Sequence, residues 1–177
     1  MPHFSAIDIL VAVIVLIAAV TDFRTRRIPN WLTISGICSG LALNCVLAGW
    51  SGLKTSLSGL ALGFVVYFFF YFLRAMGAGD VKLMAAVGAI VGPSSWLVIF
   101  IASALAGGLF ALILMVWKGR VKETLHNTLF IAGELMQFRP PHKRRADLDV
   151  KDPRAVNMPH GVAIAAGTMA CLLLAAI

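Results

Sequence analysis

Two aspartates have the surroundings that acid–base chemistry in a membrane requires. Asp22 lies in the polar stretch Thr-Asp-Phe-Arg-Thr-Arg-Arg-Ile-Pro-Asn at 21–30, and Asp80 lies in Gly-Ala-Gly-Asp-Val-Lys at 77–82, each between long apolar runs. An ionisable group at or below a membrane surface is costly, which makes it a candidate for function. Two carboxylates that share a site do not both ionise easily, so one keeps a proton. Such a pair can activate a water molecule and protonate a leaving group, which is aspartyl-protease chemistry.

The same acids could instead have purely structural roles. Asp80 follows a glycine and could serve only as a helix N-cap. Asp22 could be a membrane-edge charge that pairs with Arg24 or Arg26. A third acid, Asp8, precedes Asp22 by 14 residues, or ~21 Å along a helix, so we expect it at the opposite membrane face and outside the catalytic site.

The composition predicts what must position these acids. Of the 177 residues, 60% are hydrophobic and 13% charged, and the mean hydropathy is +0.90. These values lie outside the range of soluble domains and predict an integral membrane protein with several spans. The net charge of +7 comes from basic residues in the gaps between apolar runs, which is typical of membrane orientation and argues against nucleic acid as a partner.

Hydropathy predicts an all-α protein with about six transmembrane helices, because a span needs roughly 20 apolar residues. The apolar runs are 4–21, 31–49, 55–73, 81–92, 96–117 and 158–177. The fourth run ends at Pro93 and rises only ~17 Å against a hydrocarbon core of ~30 Å. Either Asp80 lies inside the membrane plane or Pro93 is recessed, and both arrangements predict a water-accessible pocket. Trp96 and Trp117 are expected at the membrane interfaces.

Basic residues predict the orientation. With six spans, the loops 22–30, 74–82 and 118–157 share one side and hold 14 of the 15 Lys and Arg residues. We therefore expect these loops and both aspartates at the cytoplasmic side, with both chain ends periplasmic. Apolar residues recur at three-to-four spacing over about 118–138, which predicts a cytoplasmic amphipathic helix on the membrane surface. No second domain is indicated, so 1–177 is treated as one membrane-embedded domain.

The cysteines predict no metal or disulfide framework. Cys38, Cys45 and Cys171 form no C-x-x-C pair and lie in apolar runs, so they are expected to be small core residues. We predict neither a metal nor a cofactor for the chain.

Three motifs in the chain resemble those of one family. The stretch 77–83, Gly-x-Gly-Asp-x-Lys-Leu, resembles the G-x-G-D signature of type IV prepilin peptidases, which are membrane aspartyl proteases. The stretch 22–30 resembles the D-x-[RK]-x-x-x-I-P-N motif around that family's first aspartate. The stretch 159–166 is similar to its C-terminal P-x-G-x-A-[IL]-A element. The three motifs occur in the family's order, and the resemblance covers essentially the whole chain.

The resemblance implies specific roles for residues of this chain. By transfer, Asp22 and Asp80 are the catalytic pair. Residues that would shape the site or bind substrate are Gly77, Gly79, Lys82, Pro29, Asn30, Pro159 and Gly161. His160 stands where the family often has an aromatic residue, and it could be either an interfacial residue or a group that lines the pocket.

The short, C-x-x-C-free chain most resembles the TadV/CpaA-like form that serves tight-adherence (Flp) pili. That form implies cleavage of a basic leader from a prepilin or pseudopilin at the cytoplasmic face of the bacterial inner membrane, without N-methyltransferase activity. The expected partners are the prepilin substrate and membrane lipids, with a second copy of the chain or the pilus assembly machinery as further candidates.

Other classes of protein fit the same acids. A small transporter could use Asp22 and Asp80 as an ion or proton site. A non-catalytic membrane subunit of a pilus or secretion machine would need neither acid for function. A peptidase of the presenilin or signal-peptide-peptidase kind shares G-x-G-D, but places its first aspartate in a different apolar context, without the I-P-N turn.

Overall fold

A computed structural model describes residues 5–73, 76–117 and 160–175, and within these ranges all regular structure is helical. The helices are α1 (Ala6–Thr25), α2 (Asn30–Phe72), α3 (Ala78–Trp117) and α4 (His160–Ala175). The expected all-α class is confirmed for these residues. The predicted amphipathic helix at about 118–138, the rest of the loop to 157 and Pro159 lie outside the described residues.

Helix α1 continues beyond the end of the first apolar run, because capping rather than hydropathy sets its bounds. At its start, Asp8 Oδ2 accepts hydrogen bonds from the Ser5 N–H (2.9 Å) and hydroxyl (2.7 Å), which completes a capping box. At its end, Arg26 adopts a left-handed conformation (φ 55°) and its N–H donates to the Asp22 carbonyl at 2.9 Å. Asp8 therefore has a structural role at one end, while Asp22 lies in the last turn at the other.

Helix α2 is folded back on itself. Gly49 has φ 58° and ψ −139°, a backbone conformation that favours glycine. Four close approaches of α2 to the first part of α3 show the reversal. They are Gly36 with Ala86, Gly40 with Ile90, Gly59 with Gly88 and Gly63 with Met84. The partner numbers rise along the first half of α2 and fall along the second, so the two halves run in opposite directions.

Helix α3 reverses in the same way at Gly92 (φ 77°, ψ 174°), directly before Pro93. The Trp96 Nε1–H donates to the Met84 carbonyl at 3.0 Å. In a straight helix these two residues would be ~18 Å apart along the axis, so the chain must turn back between them. The four helices thus comprise six helical segments, in the order of the six predicted apolar runs.

The short fourth segment lies at the centre of the bundle. Every residue from 83 to 90 is buried. A segment enclosed by other helices does not contact lipid, so its length need not match the hydrocarbon thickness. Its last carbonyls, freed by the break at Gly92, accept hydrogen bonds from neighbouring side chains. The Asn44 amide donates to Ala89 O (3.3 Å) and Ile90 O (2.9 Å), and the Ser56 hydroxyl also donates to Ala89 O.

Apolar surface covers the outside of the bundle. Of the described helices, α1, α2 and the stretch 78–114 of α3 are long and apolar enough to cross a membrane. Large side chains such as Phe23, Trp50 and Trp117 are mostly exposed, as expected for residues that face lipid. This surface supports the predicted membrane protein.

Two residue-level predictions were wrong. Trp96, expected at an interface, is fully buried in the core, where it stacks on Phe100 at 5.3 Å. Cys38 and Cys45, expected in the core, are exposed. Lipid and protein core are both apolar, so hydropathy does not distinguish a residue that faces one from a residue that faces the other.

Replacing Asn44 with alanine should lower the free energy of unfolding by about 1–3 kcal/mol, because the Ile90 carbonyl of the central segment would lose its side-chain donor and the Ala89 carbonyl would keep only that of Ser56. Thermal unfolding in detergent micelles measures the effect. Ser58→Ala is the matched control, since the exposed Ser58 hydroxyl bonds only within its own helix, to Thr55 O at 2.8 Å. Equal stability of the two variants would contradict the proposed capping of the central segment by Asn44.

Candidate functional site

Asp22 is held against the start of α4. Its side chain is only 8% exposed, and Oδ2 accepts a hydrogen bond from the Gly161 N–H at 2.9 Å. The first N–H groups of a helix have no partner within the helix, and the helix dipole favours a carboxylate beside them. The missing side chain of Gly161 is part of this arrangement, because a Cβ there would lie 3.0 Å from both Cβ and Oδ2 of Asp22.

Asp80 lies in the first turn of α3 and is 7% exposed. Its Oδ2 accepts from the Gly77 N–H at 3.2 Å, and its own N–H donates to the Gly77 carbonyl at 3.2 Å. This reciprocal pair fixes the carboxyl group at the helix start, in the manner of a capping box. The carboxyl group also interacts electrostatically with Asp22 and with His160. The end of α1 and the starts of α3 and α4 therefore meet at one buried place.

The other residues expected at the site, apart from Pro159, which lies outside the described residues, lie at or next to the starts of α2, α3 and α4. Pro29 is the N-cap of α2. The Lys82 ammonium donates to Asn30 Oδ1 at 2.9 Å, which links the starts of α2 and α3. A Cβ on Gly79 would lie 3.3 Å from Cβ of Ile28, so this glycine lets α3 approach the turn between α1 and α2. Both Gly77 and Gly79 have negative φ, unlike Gly49 and Gly92.

Two further side chains at the site were not assigned by the sequence. His160 opens α4, is half-buried and interacts electrostatically with Asp80. Tyr67 is 3% exposed, lies edge-on to Phe100 at 5.9 Å and also interacts with Asp80. The only feature of the sequence that could have identified Tyr67 was its hydroxyl group within a run of phenylalanines. Hydropathy does not indicate which side of that helix faces the bundle.

The chemistry available at this place is that of carboxyl groups. Within the described residues, no group of three or more His, Cys, Asp and Glu side chains is arranged to hold a metal ion. Two buried carboxyl groups that interact electrostatically are suited to a state in which one of them keeps its proton.

Comparison with known proteins gives independent information about the chain. The model of the type IV leader peptidase family matches residues 9–112, more than half of the 177 residues. A prepilin leader peptidase/N-methyltransferase from Pectobacterium carotovorum subsp. carotovorum is 30% identical over 116 residues, which cover 61% of this chain and 40% of the relative. A namesake from Neisseria gonorrhoeae is 33% identical over 106 residues, covering 56% of this chain and 37% of the relative.

An archaeal relative is similar over a shorter stretch. A preflagellin peptidase from Methanocaldococcus jannaschii is 34% identical over 83 residues, or 45% of this chain and 36% of the relative. The chain thus spans two fifths or less of the length of these curated relatives. It matches no solved structure.

Proposed function

The chain belongs to the type IV leader peptidase family, and from this premise we propose that it is an aspartic endopeptidase with Asp22 and Asp80 as its catalytic pair. The observation that carries the proposal is the meeting of two buried carboxyl groups, brought together from α1 and α3 and each bonded to a backbone N–H. That geometry supports chemistry in which one carboxylate and one carboxylic acid act together on a peptide bond.

The reaction needs only these two groups and water. The carboxylate takes a proton from the water molecule, whose oxygen attacks the peptide carbonyl carbon, while the carboxylic acid donates its proton to the carbonyl oxygen. The tetrahedral intermediate then collapses. The C–N bond breaks, the amine nitrogen receives a proton, and a new carboxyl end and a new N-terminus form. The electrostatic interaction between Asp22 and Asp80 supports a shared proton at the start of this cycle.

We infer that the substrate is a prepilin or pseudopilin of the Flp type and that the bond cut lies between a basic leader and an apolar helix. The relatives named as prepilin leader peptidases support this substrate class. The absence of any C-x-x-C pair from these 177 residues supports leader cleavage alone, without N-methyl transfer, as in the TadV/CpaA-like form. The Asp22–Asp80 pair, here called the dyad, lies at the ends of apolar helices. A peptide bond at the membrane surface would suit that position.

We propose that the six helical segments are six crossings of the bacterial inner membrane, with the dyad at the cytoplasmic face and both chain ends periplasmic. Fourteen of the fifteen basic residues lie on one side in this arrangement. The folding back of α2 and α3 supports it. We treat 1–177 as one peptidase domain, with the surrounding lipids and pilus assembly proteins as partners.

The test is incubation of the purified protein with an Flp-type prepilin in detergent or proteoliposomes. We expect a shorter product whose N-terminal sequence begins directly before the apolar helix. A transporter would instead show ion flux in proteoliposomes and leave the prepilin intact. A non-catalytic subunit would show neither.

Replacing Gly161 with alanine should lower kcat/KM for prepilin cleavage by about tenfold to a hundredfold, because the new Cβ would displace the Asp22 carboxyl group from its position. The rate of product formation measures this. Gly107→Ala is the matched control, since a Cβ there would meet Ala163 at an ordinary 3.5 Å. Full activity of Gly161→Ala would contradict the proposed positioning of Asp22 by α4.

A further inference from the structure

Tyr67 lies at the level of Asp80, because the packing of α2 on α3 sets the register of the two helices. At Gly63 of α2, an added Cβ would overlap the Met84 carbonyl and would lie 3.0 Å from Trp96 Nε1. The third and fourth helical segments run in opposite directions, so one turn further along α2 corresponds to one turn earlier along α3. Tyr67 follows Gly63 by one turn, and Asp80 precedes Met84 by one turn. This register therefore places Tyr67 beside the turn of α3 that carries Asp80.

Other aromatic rings hold the ring of Tyr67 in place. Its centroid lies 5.9 Å from that of Phe100 and 6.3 Å from that of Trp96, edge-on in both cases, and 6.3 Å from that of Phe70. Phe100 follows Trp96 by one turn, so the contact with Phe100 independently gives the level that the register predicts. The phenol is buried among these rings and interacts electrostatically with Asp80.

The Tyr67 hydroxyl makes no hydrogen bond within residues 5–73, 76–117 and 160–175. A buried phenol normally has a partner, because an unpaired O–H group in an apolar surrounding is costly. At Asp80, Oδ2 accepts from the Gly77 N–H, whereas Oδ1 accepts no hydrogen bond from this part of the chain. An unpaired donor and an unpaired acceptor at one level are suited to binding a polar group of another molecule.

We propose that Tyr67 is a third catalytic residue, whose hydroxyl donates a hydrogen bond to the carbonyl oxygen of the peptide bond that is cut. Negative charge builds on that oxygen when water attacks the carbonyl carbon. A donor that is fixed in an apolar surrounding stabilises this charge more than it stabilises the neutral carbonyl. The phenol keeps its proton throughout, so the proton transfers among water, peptide and the two aspartates are unchanged. The catalytic role rests on the proposed function, whereas the position of the unpaired phenol beside Asp80 does not.

Tyr67→Phe tests the catalytic role, because it removes the hydroxyl and keeps the ring against Phe100 and Trp96. We expect kcat for prepilin cleavage to fall about a hundredfold with little change in KM, since the lost bond acts mainly in the transition state. The midpoint of thermal unfolding in detergent should not fall, because the folded protein loses no hydrogen bond.

The matched control is Tyr71→Phe, the same chemical change one turn further along α2, at a side chain that is 39% exposed. This variant should keep the wild-type kcat. A wild-type kcat in Tyr67→Phe would overturn the proposal. A fall in both kcat and the unfolding midpoint would also overturn it, because the hydroxyl would then have a structural partner.

A second measurement does not depend on cleavage. The chain has 2 tyrosines, so protein labelled with ¹³C at the ζ carbon of tyrosine gives one NMR signal for each, and Tyr67→Phe assigns them. We expect Asp80→Asn to displace the Tyr67 signal and to leave that of Tyr71 in place, because the group beside the Tyr67 phenol has changed. An unmoved Tyr67 signal would overturn the proposal even if prepilin is cleaved. A wild-type protein that cleaves no prepilin would refute the proposed function and the catalytic role, whereas a displaced signal would still support the position of the phenol beside Asp80.

Discussion

Replacing Asp22 or Asp80 with asparagine should abolish leader cleavage, with a fall in kcat/KM of at least about a thousandfold. Asparagine is nearly isosteric with aspartate but cannot take a proton from water or return one to the peptide. Each variant also keeps an oxygen that can accept the backbone N–H of Gly161 or Gly77, so we expect the helix ends to stay in place.

The measurement is the initial rate of prepilin cleavage by purified protein, with N-terminal sequencing of the product. Because the two acids act as one unit, the double variant should be no slower than either single variant. Asp8→Asn is the matched control, since Asp8 bonds to Ser5 at the start of α1 and should keep near wild-type activity. Wild-type processing by Asp22→Asn or by Asp80→Asn would rule out the dyad.

The second large effect is expected at Gly88, where α2 and α3 meet backbone to backbone. A Cβ on Gly88 would overlap the carbonyl of Gly59, and a Cβ on Gly59 would overlap that of Gly88. Neither backbone can move without disturbing the central segment. Gly88→Val should therefore cost at least about 3 kcal/mol of unfolding free energy, at or above the upper range for overpacked interiors.

Thermal unfolding and gel filtration in detergent test this expectation. The matched control is Gly108→Val in the second half of α3, where an added Cβ would meet no atom within 4 Å. There we expect little change, because only the modest difference in helix propensity acts. If Gly88→Val were as stable and monodisperse as Gly108→Val, the close packing of α2 on α3 would be wrong.

The helical segments were predictable because hydropathy gives the length of each apolar run directly. The sequence also indicated where the chain would turn, since Gly49 and Pro93 end apolar runs. It did not indicate what surrounds each segment. The fourth run is too short to cross the hydrocarbon core, and its burial among the other helices explains this length. That burial depends on the close packing of Gly59 on Gly88, which no local pattern reveals.

The candidate site could be predicted only in part for a similar reason. Asp22 and Asp80 were found because a carboxylate in an apolar sequence is conspicuous on chemical grounds. The bond from Gly161 to Asp22 joins residues 139 positions apart, so only the tertiary fold reveals it. Tyr67 could not be assigned to the site either, because its position in a run of phenylalanines does not show that its side chain faces the bundle. The close approach of Gly79 to Ile28 is likewise a tertiary contact that no local pattern reveals.

The most direct test of a shared site is the titration of the Asp80 carboxyl carbon by ¹³C NMR, in wild type and in Asp22→Asn, with Asp80→Asn to assign the signal. Two carboxyl groups that share a site titrate jointly, so removal of one must change the curve of the other. We predict a clear displacement of the Asp80 curve in Asp22→Asn. Superimposable curves would show that the two acids are independent and would contradict the dyad.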